Sequence, residues 1–137
     1  MSLIHLIYFS TLSGNDESVL KDIHQIAIAN NVKNDVTGML LCSHRRFLQV
    51  LEGESEAVHL TYKYICRDSR HNDIHLLLTD TIENRSFTGW SMGFHHVNDV
   101  EIQQSSALES FFLCNSNDIV GQDGVALGLL KTFLFDA

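Results

Sequence analysis

A few polar or oxidisable side chains in this chain sit inside otherwise apolar runs, and their chemistry is the first thing the sequence offers. Tyr8 follows Leu6 and Ile7, Gln49 lies within Phe47-Leu48-Gln49-Val50-Leu51, and Asn30 and Asn31 are paired at the end of an apolar-periodic stretch. Buried polar groups need partners, so each of these positions asks for a bond. A tyrosine phenol is among the few side chains that can be oxidised readily, and its proton can leave along a hydrogen bond already made. A glutamine presents an acceptor at one end of its amide and two donors at the other. Exchanging those ends, by rotation or tautomerisation, reverses a local hydrogen-bond pattern at little steric cost, which suits Gln49 to a switch. Each residue also has a plainer use. Gln49 can be a core amide satisfying backbone groups, Tyr8 can bury its ring and leave its hydroxyl at a rim, and Asn30 and Asn31 can cap a helix C-terminus. Trp90 and Met92, two residues apart, can be ordinary core.

The elements that must position these groups follow from periodicity. Leu3 to Phe9 reads as a strand ending in the turn-rich 10–16 stretch. Val19, Leu20, Ile23, Ile26 and Ala27 recur at helical spacing, with Asn15 or Asp16 placed as cap and Asn30 and Asn31 at the end. Val36 to Cys42 and Phe47 to Leu51 read as a hairpin across Ser43 to Arg46. Alternation puts Gln49 on the face of Phe47 and Leu51, away from Leu48 and Val50. Gly53 breaks the strand, and Ser55 can cap a second helix with Val58, Tyr62, Ile65 and Cys66 on one face, closing near Asp68. Ile74 to Ile82 and Phe87 to Val97 complete a βαββαββ order, the last strand with Trp90 and Met92 on one side. Two short helices, at Ala107 to Leu113 and Val125 to Phe135, are expected to pack on the sheet. The fold class is α+β, with residues 1–97 as the core and 98–137 as a helical extension.

Composition bounds the rest. The 137 residues, 45% hydrophobic, suffice for one buried core. Nine basic residues against 17 acidic ones, a formal charge of −8, disfavour nucleic acid and anionic membrane as partners. With no apolar run of roughly 18 residues and no signal-peptide layout, a cytoplasmic protein is expected. Cys42, Cys66 and Cys114 read as buried thiols, and the eight histidines form no helical i, i+4 pair backed by a carboxylate, so no metal is expected. Phosphate-loop, Gly-x-Ser-x-Gly, HExxH and CxxC signatures are absent.

Taken together, Leu6-Ile-Tyr-Phe-Ser10, Asn30-Asn31, Val36-Thr-Gly-Met-Leu40, Phe47-Leu-Gln-Val-Leu-Glu-Gly53, Asp68-Ser-Arg-His71, Arg85 with Phe87, and Trp90-Ser-Met92 resemble the BLUF family of blue-light sensors using flavin, from about Leu3 to Phe94. The resemblance implies a ferredoxin-like sheet with two helices on one face and a flavin between them, usually FAD, with FMN or riboflavin as other forms. It implies that Asn31 bonds the pyrimidine edge, with Asn30, Asp68, Arg70 and His71 holding that edge or the adjoining chain. Tyr8 and Gln49 would form the light-driven switch, and Trp90 and Met92 would relay it outward. Tyr8 would give up an electron and then a proton, and recover both after Gln49 has rearranged. Two positions depart from the family pattern: Ala27 replaces a frequent serine, and Tyr64 stands where a basic residue is common, leaving Lys63 or Arg67 as substitutes.

The implied protein is a photoreceptor and not an enzyme, signalling to a downstream protein or as a homo-oligomer. It could also be the sensor portion of a longer chain. Two rivals share the fold: an acylphosphatase-like hydrolase using Arg70 or Arg85 with Asn31, and an adaptor that has lost its flavin.

Overall fold

The computed structural model describes residues 2–13, 19–89, 91–105, 108, 112, 128 and 130. Its elements are β1 (Leu3–Leu12), α1 (Val19–Asn34), β2 (Thr37–Ser43), β3 (Arg46–Glu54), α2 (Ser55–Cys66), β4 (His71–Thr81), β5 (Gly93–His96) and α3 (Asp99–Gln103). They form one five-stranded sheet in the order β4-β1-β3-β2-β5. β1 runs antiparallel to both β3 and β4, β2 antiparallel to β3, and β5 parallel to β2. Each helix therefore links two parallel strands that have a third between them, which is the interleaved βαβ arrangement of ferredoxin-like folds. The expected βαββαββ order is present.

Strand alternation sorts the side chains into two cores. Ile4, Leu6, Tyr8, Leu12, Leu40, Phe47 and Leu51 face the helices, where Val58 is buried and Ile23, Ala27, Ile28, Tyr62 and Ile65 pack over them. Ile7, Phe9, Met39, Leu41, Leu48 and Val50 face the other way and are covered by Phe87, Val97, Ile102, Leu108, Phe112 and Leu130. Tyr8, Gln49 and Leu40 lie side by side across β1, β3 and β2. The polar pair thus occupies the middle of the sheet on its helical face.

Element ends differ from the periodic reading in instructive ways. The β2–β3 loop has only His44 and Arg45, both at positive φ (48° and 67°), the geometry of a type I′ turn without its usual glycine. Helix α1 continues past the asparagine pair to Asn34, and Asp35 takes the left-handed conformation at φ 56°. The Val36 N–H then reaches the Asn31 carbonyl at 2.9 Å and the Asp35 N–H the Val32 carbonyl at 3.5 Å, a Schellman closure. Asn30 and Asn31 are therefore not the cap. Ser55 is the first residue of α2, and the N-cap is Glu54, which makes no side-chain capping bond.

The largest correction concerns the last strand. Only Gly93–His96 pair as β5, so Met92 precedes the strand, and Trp90 lies outside the described residues. The cause is a latch that competes with sheet pairing. Glu52, 1% exposed on β3, accepts the Ser86 and Phe87 N–H groups at 2.7 and 2.9 Å and the Thr37 hydroxyl at 2.9 Å. Arg85 adds bonds to Thr37 Oγ1 and the Asp35 carbonyl at 3.1 and 2.9 Å. Backbone donors used in this way cannot continue a ladder.

Asn98 and Glu101 form a capping box on α3. Leu108, Phe112 and Leu130 are helical and buried, while the rest of the two expected C-terminal helices lies outside the described residues, as do Asn15, Asp16 and Cys114. Cys42 is buried as expected, but Cys66 is exposed.

Candidate functional site

The faces of α1 and α2 that turn toward each other are lined at helical spacing, and the space between them is a cavity of about 300 Å³ floored by the sheet. Ile23, Ile26 and Ala27 wall one side, and Leu60, Tyr64 and Ile65 the other. Asn30, Asn31 and Asn34 continue the α1 wall toward the close of that helix, and Asp68 and Arg70 line the cavity from beyond the end of α2, near the start of α1. Ile26, Leu60 and Tyr64 are 41%, 63% and 63% exposed, large apolar surface that a chain leaves open where something docks.

Tyr8 and Gln49 are directly paired across β1 and β3 and rise into the floor of this cavity. The Tyr8 hydroxyl donates to Gln49 Oε1, and Gln49 Nε2 donates to Met92 Sδ at 3.2 Å. All three side chains are buried, at 3%, 4% and 5% exposure. Burial pushes the Tyr8 phenol far above its ordinary range, helped by Tyr62, Cys66 and Asp68 nearby. Tyr62, whose ring centroid lies 5.4 Å from that of Tyr8, is pushed up to about 12 by burial and by its bond with Cys66. Tyr8 is thus held as a neutral donor.

Beyond the end of α2, Asp68 closes the helix exit as an Asx-type turn, accepting the Arg70 N–H at 3.0 Å. It also takes the Arg70 guanidinium through Nε at 2.9 and 3.0 Å and through one terminal nitrogen at 2.5 Å, which raises the arginine's pKa. The pair works as one rigid block. Asn31, 1% exposed, donates its amide to the Ser91 carbonyl at 2.7 Å. Every buried side-chain nitrogen and oxygen among the described residues has a partner.

Tyr8, Gln49, Asn30, Asn31, Asp68 and Arg70 therefore surround one cavity, and Met92 joins them through Gln49. His71 opens β4 opposite Leu12, one residue beyond Arg70. Ala27, Lys63, Tyr64 and Arg67, the positions where the family pattern is altered or replaced, all line the cavity too. Periodicity missed its apolar walls. Ile26 and Leu60 read as core-facing or unremarkable helix residues, and only the gap between the helices shows them to be a binding surface. It also missed Glu52, for which a lone carboxylate in an apolar strand was the available signal.

An apolar slot with donors and acceptors in its floor and toward both ends fits a flat heteroaromatic ring with polar atoms along its edge, as in a flavin. Residues 3–93 match the sequence model described as "BLUF: Sensors of blue-light using FAD". The chain belongs to the BLUF family. It is a flavin-binding blue-light sensor. It is 44% identical over 87 residues to the blue light- and temperature-regulated antirepressor BluF of Escherichia coli (strain K12), a match spanning 62% of this chain and 21% of the antirepressor. Among solved BLUF folds, the photo-activated state of BlsA superposes with a TM-score of 0.72 at 28% identity, covering 94% of each chain. A bacterial light-regulated adenylyl cyclase gives 0.69 at 34% identity, over 74% of this chain and 31% of the cyclase.

The hydrolase alternative finds no support. Arg70 is occupied by Asp68, Arg85 by Asp35 and Thr37, and the Asn31 amide by Ser91, so no free guanidinium and amide are presented to an acyl phosphate. No group of three His, Cys, Asp or Glu side chains among the described residues could hold a metal. No helix among them is long and apolar enough to cross a membrane.

Proposed function

We propose that this BLUF sensor signals by exchange of the two ends of the Gln49 amide, driven by reversible loss of an electron and a proton from Tyr8. The observation that supports this is the chain Tyr8 O–H to Gln49 Oε1 and Gln49 Nε2–H to Met92 Sδ, in which each end of one amide has a partner of the opposite kind. When bound, the flavin supplies a ring that absorbs blue light and accepts one electron. Tyr8 gives up that electron, and its phenolic proton leaves along the bond to Gln49 Oε1. Both return once the amide has exchanged its ends. The phenol adapts, because a hydroxyl can accept as well as donate. Met92 does not, because a thioether accepts only, and the carbonyl end of the amide then faces sulfur with no hydrogen between them. The Met92 contact is the one that breaks, so the signal leaves on that side, toward β5 and α3.

The holding residues divide by chemistry. Asn31 spends its amide on Ser91 and keeps Oδ1 to accept from a ring N–H, with Asn30 beside it on the same wall. The Asp68–Arg70 block and His71 hold the ring or the adjoining chain from the other end of the slot. Lys63 and Arg67, lining the same cavity, supply positive charge for the phosphates of FAD, and a phosphate-free riboflavin would forgo that attraction. Trp90 acts with Met92 in relaying the change.

This chain performs no turnover of its own and passes its signal to a downstream protein or to a second copy of itself. The named antirepressor and cyclase relatives support an output of this kind, each joining a light-sensing stretch to a much longer chain. Residues 98–137 form the extension through which the signal leaves, and the protein works in the cytoplasm.

The test is an absorption spectrum of the protein loaded with FAD, before and after blue light. The wild type shows a reversible red shift, and Tyr8→Phe binds flavin equally well but shows none. A shift of undiminished size in Tyr8→Phe would refute the mechanism.

A further inference from the structure

Met92 is held at more than its sulfur. His24, half-buried on α1, places Nε2 2.9 Å from the Met92 carbonyl oxygen. A carbonyl only accepts, so Nε2 must bear the proton, whichever charge the ring carries. The ring also leans on Phe94 of β5, with centroids 4.9 Å apart and planes 41° apart. Seven residues on, and so on the same side of the helix, Asn31 donates to the Ser91 carbonyl at 2.7 Å. Consecutive carbonyls of the segment before β5 are thus both gripped from α1, while the Gln49 amide holds the Met92 side chain from the sheet. Upstream, Glu52 fixes the backbone at Ser86 and Phe87.

We propose that His24 is a positioning residue for the photoswitch: by holding the Met92 carbonyl it keeps the sulfur in register with Gln49 and thereby sets the lifetime of the lit state. The proposal rests on the Tyr8–Gln49 reading above. After light the amide no longer donates to sulfur, and the Ser91–Met92 segment is retained by α1 alone. With His24 in place, Met92 stays poised and the resting bond re-forms as soon as the amide turns back. Without it, the segment swings away and must dock again before the network closes, so return is slower. A held acceptor binds better than a mobile one because less ordering is left to be done on binding. Because α1 takes up the strain of that grip, the helix also feels the switch directly, independently of β5.

Dark recovery of the red shift in the full chain loaded with FAD measures this. His24→Ala and His24→Phe both lose the donor, the second retaining a ring against Phe94. Both keep a red shift of normal size, and both recover several-fold to about tenfold more slowly, the factor that one ordinary hydrogen bond supplies. His24→Gln, whose amide N–H can reach the same carbonyl, recovers within about twofold of wild type. Unchanged or faster recovery in His24→Phe overturns the proposal, as does rescue by phenylalanine as complete as by glutamine. If His24→Ala does not fold, the Phe and Gln variants decide alone. Absence of a red shift in the wild type refutes the underlying switch instead, and so separates the two failures.

Discussion

At the scale of single residues, Tyr8 meets two demands at once: it must surrender a proton on excitation and keep it in the dark. Burial answers the second by penalising the phenolate, which lifts its pKa well above the ordinary value of about 10. A group whose folded pKa is raised contributes stability below its unfolded pKa and loses it as pH climbs beyond. The Tyr8 contribution is therefore complete below about pH 10 and declines only in stronger alkali. The red shift produced by light should consequently keep its full amplitude from about pH 6 to about pH 10, as far as this phenol governs it. A loss of amplitude near neutrality that tracks tyrosinate absorbance would contradict the burial argument. Gln49 has no titration to consider, which is part of its fitness: its two ends differ in hydrogen-bonding sense but not in charge.

At the scale of elements, the site depends on how closely β2 and β3 approach. A Cβ built on Gly38 would fall 2.0 Å from the Val50 carbonyl oxygen and 3.2 Å from Met92 Cε. The first of these neighbours is backbone and cannot rotate away. Gly38→Ala should therefore push the two strands apart and cost at least about 1–3 kcal/mol, read as a fall of on the order of 5–15 °C in Tm. Because the second neighbour is the Met92 methyl, the same variant should also displace Met92 from Gln49 and slow dark recovery even where it folds. A thermal midpoint equal to wild type would show that β2 is not seated as tightly as described. The helix α1 end carries a comparable demand, since Asp35 at φ 56° occupies a place glycine usually takes. Its carbonyl and carboxylate both meet Arg85, at 2.9 and 3.3 Å, which ties the close of α1 to the connection that leads to Met92.

At the scale of the molecule, one sheet separates two cores that have different tasks. The far face, from Ile7 to Leu130, is a sealed apolar layer. The helical face has an opening, with Ile26, Leu60 and Tyr64 exposed along it, and that surface is covered when flavin enters. Ligand that binds only the folded form stabilises it by mass action, about 2.7 kcal/mol at a hundredfold excess over Kd. Saturating FAD should thus raise Tm by roughly 5–12 °C over the flavin-free protein, as differential scanning calorimetry would record. No rise at saturation would mean that the slot between α1 and α2 is not where the cofactor sits.

Much of this was readable from residue order alone. Strand alternation has a period of two and no freedom, so the side of the sheet taken by Tyr8 and Gln49 followed from their neighbours, and the βαββαββ order followed from where the period changes. Motif resemblance then named the flavin and most of its surroundings. What residue order could not decide was set by contacts between segments far apart in the chain. Phe87 to Val97 has the composition of a strand, but the Glu52 carboxylate takes the Ser86 and Phe87 N–H groups, and only Gly93–His96 pair. Asn31 looks like a helix end, yet the chain closes three residues later and leaves its amide for Ser91. The Gln49–Met92 and His24–Met92 bonds span 43 and 68 residues. A local pattern reports which way a side chain points. Which partner waits there depends on the packing of the whole chain, because hydrogen bonds are specific in distance and direction, whereas hydrophobic periodicity is not.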